Sequence, residues 1–561
     1  MADLKPLGSS SEPSAAPSIR SQRNDETTAT DDAEPKDYAT GLKLFTVMLS
    51  ICLNTALVGL ELGIISTAIP GITDQFHRIQ DVGWYGCATF LLVASSSSMW
   101  GKAFKYFNLK YAYLLSICLL IIGSIVSAAA PNSASVIVGR TIQGLGIGGT
   151  LSGSVILINH VSHPRLHPML IGIWTAIFIV STILGPLIGG AFTTGVTWRW
   201  CFWINLPLGG PVIALVLFFL HIPKHVKSTP ATWKEILLHL DIPGFAFLLA
   251  SVVCLALALQ QGGQTELWSA GSTIALLVLW PVFTIIFFVV EKFQGERAMV
   301  PLRLLQPRVT WANALYCYFC NSANYQIVFY LPIYFQAVRG DSAIISGVNL
   351  LPFLAFFALG AMVSGAAVGK TQHLQPFELI SGLLTTAGVA LLYILEVDSS
   401  MGRYVGAQVL AGFGLGLGNQ IPITAVQGLS KPEDMTSSSG IVLMMQALSG
   451  TYFILIAQSL WANRLISHIE TTYPSISAQQ VIATGSGANE IRNVFHGAEL
   501  AAVLDAYMVG IKAVFAFSLA TAALTVLIAL IIPFKRLPDH REKKLEHSNK
   551  ADETKEKISS A

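Results

Sequence analysis

Charge is what this sequence has least of. Of its 561 residues only 12% are Asp, Glu, Lys or Arg, about half the share found in water-soluble domains. A hydrated surface cannot be built around the 53% that are hydrophobic, so lipid must cover part of them. Charge of one sign is lacking too: Lys and Arg number 34 against 32 Asp and Glu. No basic stripe is available for phosphates, which excludes nucleic acid as a partner. The seven cysteines (Cys52, Cys87, Cys118, Cys201, Cys254, Cys317, Cys320) lie in or at the edges of apolar segments. That placement argues against a disulfide scaffold. Cys317 and Cys320 form a C-x-x-C with no second pair or nearby histidine, so they read as packing and no metal site is expected. The first forty residues contain no apolar run, which excludes a cleavable signal peptide. Their Ser, Pro, Asp, Glu and Thr content makes residues 1–42 a disordered tail, and residues 535–561 form a second, basic one.

What is present is a series of apolar stretches long enough to cross a hydrocarbon core of about 30 Å. Fourteen run from Leu44–Ile65 to Met508–Phe534. Backbone groups in lipid must be satisfied within the segment, and runs of about twenty apolar residues lack the alternation of a barrel strand. The chain is therefore expected to be all-α, a polytopic membrane protein of about 14 transmembrane helices. An even number puts both termini on one side. Lys102, Lys105, Lys110, Lys224, Lys292, Arg303, Lys370, Lys431 and Lys535 fall in loops on that side, against scattered arginines opposite. The positive-inside rule then places both tails in the cytosol.

Two charges stand inside apolar spans. Arg140, in Gly139-Arg-Thr-Ile-Gln-Gly144, costs a few kcal/mol or more in hydrocarbon unless it is paired or hydrated. One reading has it snorkel to the interface from the first turns of its helix; the other has it line an aqueous cavity, with Gln143 one turn along the same face. Glu61 is the matching anion. At 1.5 Å per residue it lies roughly 25 Å along the first span, and Arg140 roughly 9 Å below the opposite boundary, so the two can meet. A carboxylate beside an arginine in low dielectric binds or releases a proton according to what faces it, which outlines a proton-coupling device. Late in the fifth span, Gly185-Pro186-Leu-Ile-Gly189-Gly190 offers small residues for close helix contact and a proline that loosens the backbone. Two nucleotide-like patterns fail on context. Gly144-Leu-Gly146-Ile-Gly148-Gly149 lies mid-helix, and the run from Gly365 to Thr371 is one residue short of a phosphate loop and ends a span. No ATP site and no cofactor are expected.

These residues resemble the major facilitator superfamily, and more narrowly its fourteen-helix drug:proton antiporters, abundant in fungi and including toxin pumps. The likeness covers nearly all of residues 44–534. Leu60 to Pro70 looks like that group's first-helix signature, with Glu61 where aspartate is usual. Arg140 to Gly144 matches its R-x-x-Q-G motif, and Gly185 to Gly190 its antiporter motif. Trp198 to Pro207 and Leu331 to Gln336 resemble its sixth- and ninth-helix patterns. The run from Gly101 through Lys105 to Lys110 occupies the loop motif between the second and third spans, but Lys105 stands for the usual aspartate and Asn108 for the second glycine.

The resemblance implies two six-helix bundles, 43–221 and 310–534, with an inserted helix pair in 222–309 and an outer loop at 463–507. It implies export of amphipathic organic compounds such as drugs, toxins or secondary metabolites. The driving force would be a proton gradient acting through Glu61 and Arg140. Import of a nutrient or metal chelate on the same fold is the alternative, which the Gly185–Gly190 motif disfavours. Gly185, Pro186, Gly189, Gly190, Gly101 and Lys105 would serve gating. Gln143, Tyr325, Gln326, Tyr330, Asn419, Gln420 and Gln427 would contact substrate, rings giving area and amides adaptable hydrogen bonds; interhelical hydrogen bonding among the amides is the other reading. No enzymatic constellation is present. A monomer in the plasma membrane is expected, with the vacuolar membrane as the alternative.

Overall fold

The computed structural model describes residues 41–537 apart from 163–166, 221, 223–231, 233–234, 237, 239, 264–265, 432–433, 479 and 482–487. Most of both predicted tails lies outside the described residues; Gly41 and Leu42, placed in the first tail by composition, already belong to the first helix.

Each apolar run is helical. The long helices are α1 (Gly41–Phe76), α2 (Val82–Tyr106), α3 (Leu109–Ala128), α4 (Ser133–Val161), α5 (His167–Gly195) and α6, in two pieces (Trp200–Trp203 and Asn205–Phe219). They continue as α7 (Ile242–Gln261), α8 (Gly271–Gln294), α9 (Arg308–Ile333), α10 (Ala343–Thr371), α11 (Gln375–Tyr393), α12, in two pieces (Met401–Asn419 and Ile421–Leu429), α13 (Met435–Thr472) and α14 (Gly497–Ile531). Among the described residues, twelve helices are long and apolar enough to cross a membrane. α2 and α9 are of similar length, pack among the twelve and carry more polar residues. The chain is a multi-pass, all-α membrane protein.

Local sequence sets several helix ends. Asn132 caps α4 by accepting the Ser135 N–H at 2.9 Å, fixing the start from which Arg140 is counted. Asn108 caps α3 by accepting the Lys110 N–H at 3.1 Å, which gives the asparagine at that motif position a structural purpose. The connection expected at 463–507 is shorter than the hydropathy implied. α13 runs on to Thr472 and α14 starts at Gly497, with a short helix, Ala488–Val494, between them. At 1.5 Å per residue the 38-residue α13 spans about 57 Å, so it projects beyond a bilayer. Its polar end is tied to α14 by His468 and Asp505, 2.8 Å apart.

The packing repeats. α1 lies on α5 and α6, α2 and α3 lie on α4, and α3 lies on α6. In the second half α9 lies on α13 and α14, α10 and α11 lie on α12, and α11 lies on α14. These are two six-helix bundles related by an approximate twofold, and they meet along α2 with α13 and α5 with α10. α7 and α8 pair with each other, and α7 touches α2 and α13 from outside. The side holding the start of α1 and the end of α14 is called the tail side. On the far side a buried plug of Ile69, Val82, Tyr85, Phe329, Tyr330 and Trp461 joins the two bundles.

Candidate functional site

Glu61 on α1 and Arg140 on α4 face each other in the core of the first bundle, both 0% exposed, joined by an ion pair from Arg140 Nη1 to Glu61 Oε1. The guanidinium also donates through Nε to the Tyr85 carbonyl at 3.0 Å and through Nη1 to Gln143 Oε1 at 3.4 Å. It lies 5.9 Å from the Phe202 ring centroid. Its Nη2 has no hydrogen-bond partner. The second carboxylate oxygen accepts from Asn205 Nδ2, and Asn205 and Gln143 share Ser124 Oγ at 2.9 and 2.7 Å. Four helices, α1, α3, α4 and α6, therefore share one hydrogen-bond network around the carboxylate. The snorkelling reading of Arg140 does not describe this geometry, because its side chain turns inward to the acid.

Sequence spacing put Gln143 on Arg140's face, and there it sits; its amide is spent within this network, fully buried. Asn205 was not singled out, although it falls in the Trp198 to Pro207 run. A lone amide in an apolar span was the available signal.

The glycine motif forms the contact of α5 with α1 and α10. A Cβ on Gly185 would stand 2.7 Å from Gly63 Cα, and one on Gly189 would meet Ile64 O at 2.7 Å. Thr67 Oγ1 donates to Pro186 O at 3.2 Å, a hydrogen bond across the α1–α5 contact. Gly190 faces the backbone of Ala343 and Ile344 in the other bundle. The motif thus joins α1 to the bundle interface by backbone contact.

The remaining predicted residues are dispersed. Tyr325 is half-buried and packs at a tilt of 55° against Phe90 across the interface, centroids 4.6 Å apart. Gln326 is buried, donating to Ser322 at 2.8 Å with its carbonyl unpartnered. Tyr330 belongs to the far-side plug and donates to Gln458 at 3.1 Å. Asn419 and Gln420 mark the break in α12, the first buried and the second half-buried, and Gln427 is exposed. Near Tyr325 the structure adds groups that sequence reasoning did not choose. Tyr318 packs on Phe453 at 4.9 Å, and Gln446 donates to Asn321 at 3.3 Å.

On the tail side Gly101 is exposed and a Cβ there would meet nothing. Lys105 is exposed and lies over the ring of its own neighbour Tyr106 at 5.6 Å. Lys102 makes the longer contact: its Nζ donates to the carbonyls of Arg297 at 2.6 Å and Ala298 at 3.3 Å, between α8 and α9. That connection is held further by Asp241 and Glu291, which accept from the N–H groups of Met299 and Val300 at 2.7 and 2.6 Å.

Two six-helix bundles in contact, the first enclosing a buried acid and base, have the architecture of a membrane transporter. The chain belongs to the Major Facilitator Superfamily, whose family model matches residues 51–453. It is 57% identical over 550 residues to a dehydrocurvularin exporter of Alternaria cinerariae, covering 98% of this chain and 94% of that one. It is 59% identical over 507 residues to the efflux pump notK of Aspergillus sp. (strain MF297-2), covering 90% of each. Among solved structures, a bacterial homolog of the human lysosomal transporter Spinster shares the fold, with a TM-score of 0.62 at 14% identity over 88% of this chain and 98% of that one.

Proposed function

We propose that this chain exports small amphipathic organic molecules, secondary metabolites in the first place, in exchange for protons. Export is supported by relatives at 57–59% identity that are named as exporter and efflux pump. The observation that carries proton coupling is the buried Glu61–Arg140 pair with its Asn205 contact. A proton arriving on Glu61 cancels the carboxylate's charge and leaves the guanidinium to find other acceptors, with Nη2 already lacking one. α1, which carries Glu61, then loses its charged anchor to α4 and can move along the glycine contact with α5. That contact reaches the second bundle through Gly190. Substrate would be read between the bundles by Phe90, Tyr325, Tyr318 and the Asn321–Gln446 amides. Both tails lie in the cytosol in this reading, and the membrane is the plasma membrane, with vacuolar fractions as the comparison in localisation.

The test uses full-length protein in liposomes under an imposed pH gradient, with dehydrocurvularin as trial substrate because of the relative's name. Gradient-driven movement is expected in the wild type and lost in Glu61→Gln. Driven transport unchanged in that variant would overturn the assignment. In cells lacking the gene, an exporter's loss raises retained metabolite, whereas an importer's loss would lower it.

A further inference from the structure

The approximate twofold allows the two bundles to be compared residue by residue. Gly144 of α4 packs on Thr89 of α2, Gly148 packs on Ser96 of α2 with the Val93 carbonyl 3.5 Å from a Cβ placed there, and Gly146 packs on α3. In the second bundle Gly412 and Gly416 of α12 pack on Phe353 and Phe357 of α10, and Gly414 packs on α11. Carried along the helices, these registers align Arg140 with Gln408, Ser116 with Ser381 and Tyr113 with Glu378, and aligning Pro70 of α1 with Pro332 of α9 sets Asn54 opposite Tyr316.

The last match is unequal. In the first bundle Asn54 donates to Tyr113 Oη at 2.8 Å, and Ser154 Oγ lies 3.0 Å from the same oxygen, so a neutral group fills the position with its hydrogen bonds made. In the second bundle the position is a carboxyl group, 0% exposed, with neither oxygen hydrogen-bonded. Tyr316 sends its hydroxyl past the side chain to the Glu378 backbone carbonyl at 3.0 Å and lies 3.1 Å from Ser381 Oγ. The titratable groups of α9 that feel Glu378 are Tyr316, Cys317 and Cys320. No charged group of α12 or α14 acts on it. An ionised carboxylate without a partner is not sustained in an apolar bundle. The first bundle shows that this fold fills the position with a phenol, so the acid is not required for packing. Glu378 also stands in the first turn of α11, one turn from the half-buried Gln375 at the tail-side surface.

We propose that Glu378 is a second proton-binding site, carried by the C-terminal bundle and separate from Glu61, and that it adds one proton to each exchange. This rests on the proton-exchange reading above. Glu378 binds a proton from water in one orientation of the bundles and returns it to water in the other; no other bond changes.

The experiment compares wild type, Glu378→Gln and Glu61→Gln as full-length protein in liposomes. Infrared difference spectra between high and low pH, in H₂O and D₂O, report exchangeable protonated carboxyls without any substrate. A D₂O-sensitive carboxyl band absent from Glu378→Gln and retained in Glu61→Gln is the expected result. Under a pH gradient with dehydrocurvularin, the proton-to-substrate ratio should fall by one in Glu378→Gln while the gradient still drives transport. A Glu378→Gln spectrum identical to wild type, or an unchanged ratio, overturns the proposal and leaves the exchange reading standing. Gradient-independent wild-type transport overturns the exchange reading instead. Tyr316→Asn with Glu378→Tyr copies the first bundle's neutral pair and should behave as Glu378→Gln does, which keeps the test available should the single variant not fold.

Discussion

Replacing Glu61 by glutamine leaves the side chain's shape and its capacity to accept from Asn205, but it removes the charge that balances Arg140. The guanidinium is then fully buried with a backbone carbonyl at 3.0 Å, an amide oxygen at 3.4 Å and no counter-ion. Removing one partner of a buried pair costs about 3–5 kcal/mol when the other charge is stranded. The isosteric glutamine, which still accepts a hydrogen bond, should fall at the low end, about 3 kcal/mol. Arg140→Gln should cost about as much, because it strands the carboxylate with only Asn205 as donor. The double variant restores neutrality and should cost little more than either single one. A coupling energy of about 2–3 kcal/mol is expected, near the top of the range for contacting residues. Thermal unfolding of purified protein in detergent, read for all four proteins of the cycle, measures it. Additive losses, within about 0.5 kcal/mol, would refute the claim that the two charges form one unit.

Gly185→Ala drives a methyl into Gly63 of the neighbouring helix, 2.7 Å from its Cα; overpacking of about 1–3 kcal/mol and slowed transport are expected in unfolding and flux assays. Gly101→Ala is the control: its Cβ meets nothing, and unfolding should show no loss, with a gain of up to about 1 kcal/mol from helix propensity. Asp434 lies outside the spans, and its hydrogen bonds from Arg303, at 2.8 and 3.0 Å, hold its carboxyl below the ordinary range. The pair's contribution is therefore fully present above the ordinary carboxylate pKa and is lost as pH falls through the depressed value. Melting curves of wild type and Asp434→Asn should differ near neutrality and converge in acid. Lys102→Ala removes a side-chain tie from α2 to the 295–298 connection, and protease cleavage there should accelerate while Lys105→Ala leaves it unchanged.

The spans were legible because each is a long, predominantly apolar run, and the Glu61–Arg140 meeting followed from counting helical rise inward from opposite ends. Helix ends were not, since α13 and α14 continue through polar residues once outside the apolar window, held by contacts such as His468 to Asp505. Gln143's position was readable from i, i+3 spacing, yet its commitment to Ser124 needed a third helix. Asn205 was invisible for the same reason: its significance lies in which carboxylate it reaches. Lys105 was chosen over Lys102 from the motif position, but the partner carbonyls come from a connection nearly two hundred residues away in sequence. The twofold match between Tyr113 and Glu378 was written in the two alternating-glycine helices and needed the packing of their neighbours to become a register.

The central claim is that a proton on Glu61 is exchanged as substrate moves. The most direct measurement is substrate-triggered proton movement in sealed vesicles with no imposed gradient, followed with a pH-sensitive dye while dehydrocurvularin is added. The account expects a proton flux opposite to the substrate flux in wild type and no substrate-triggered proton flux in Glu61→Gln. Wild-type substrate flux without any accompanying change in pH would contradict it.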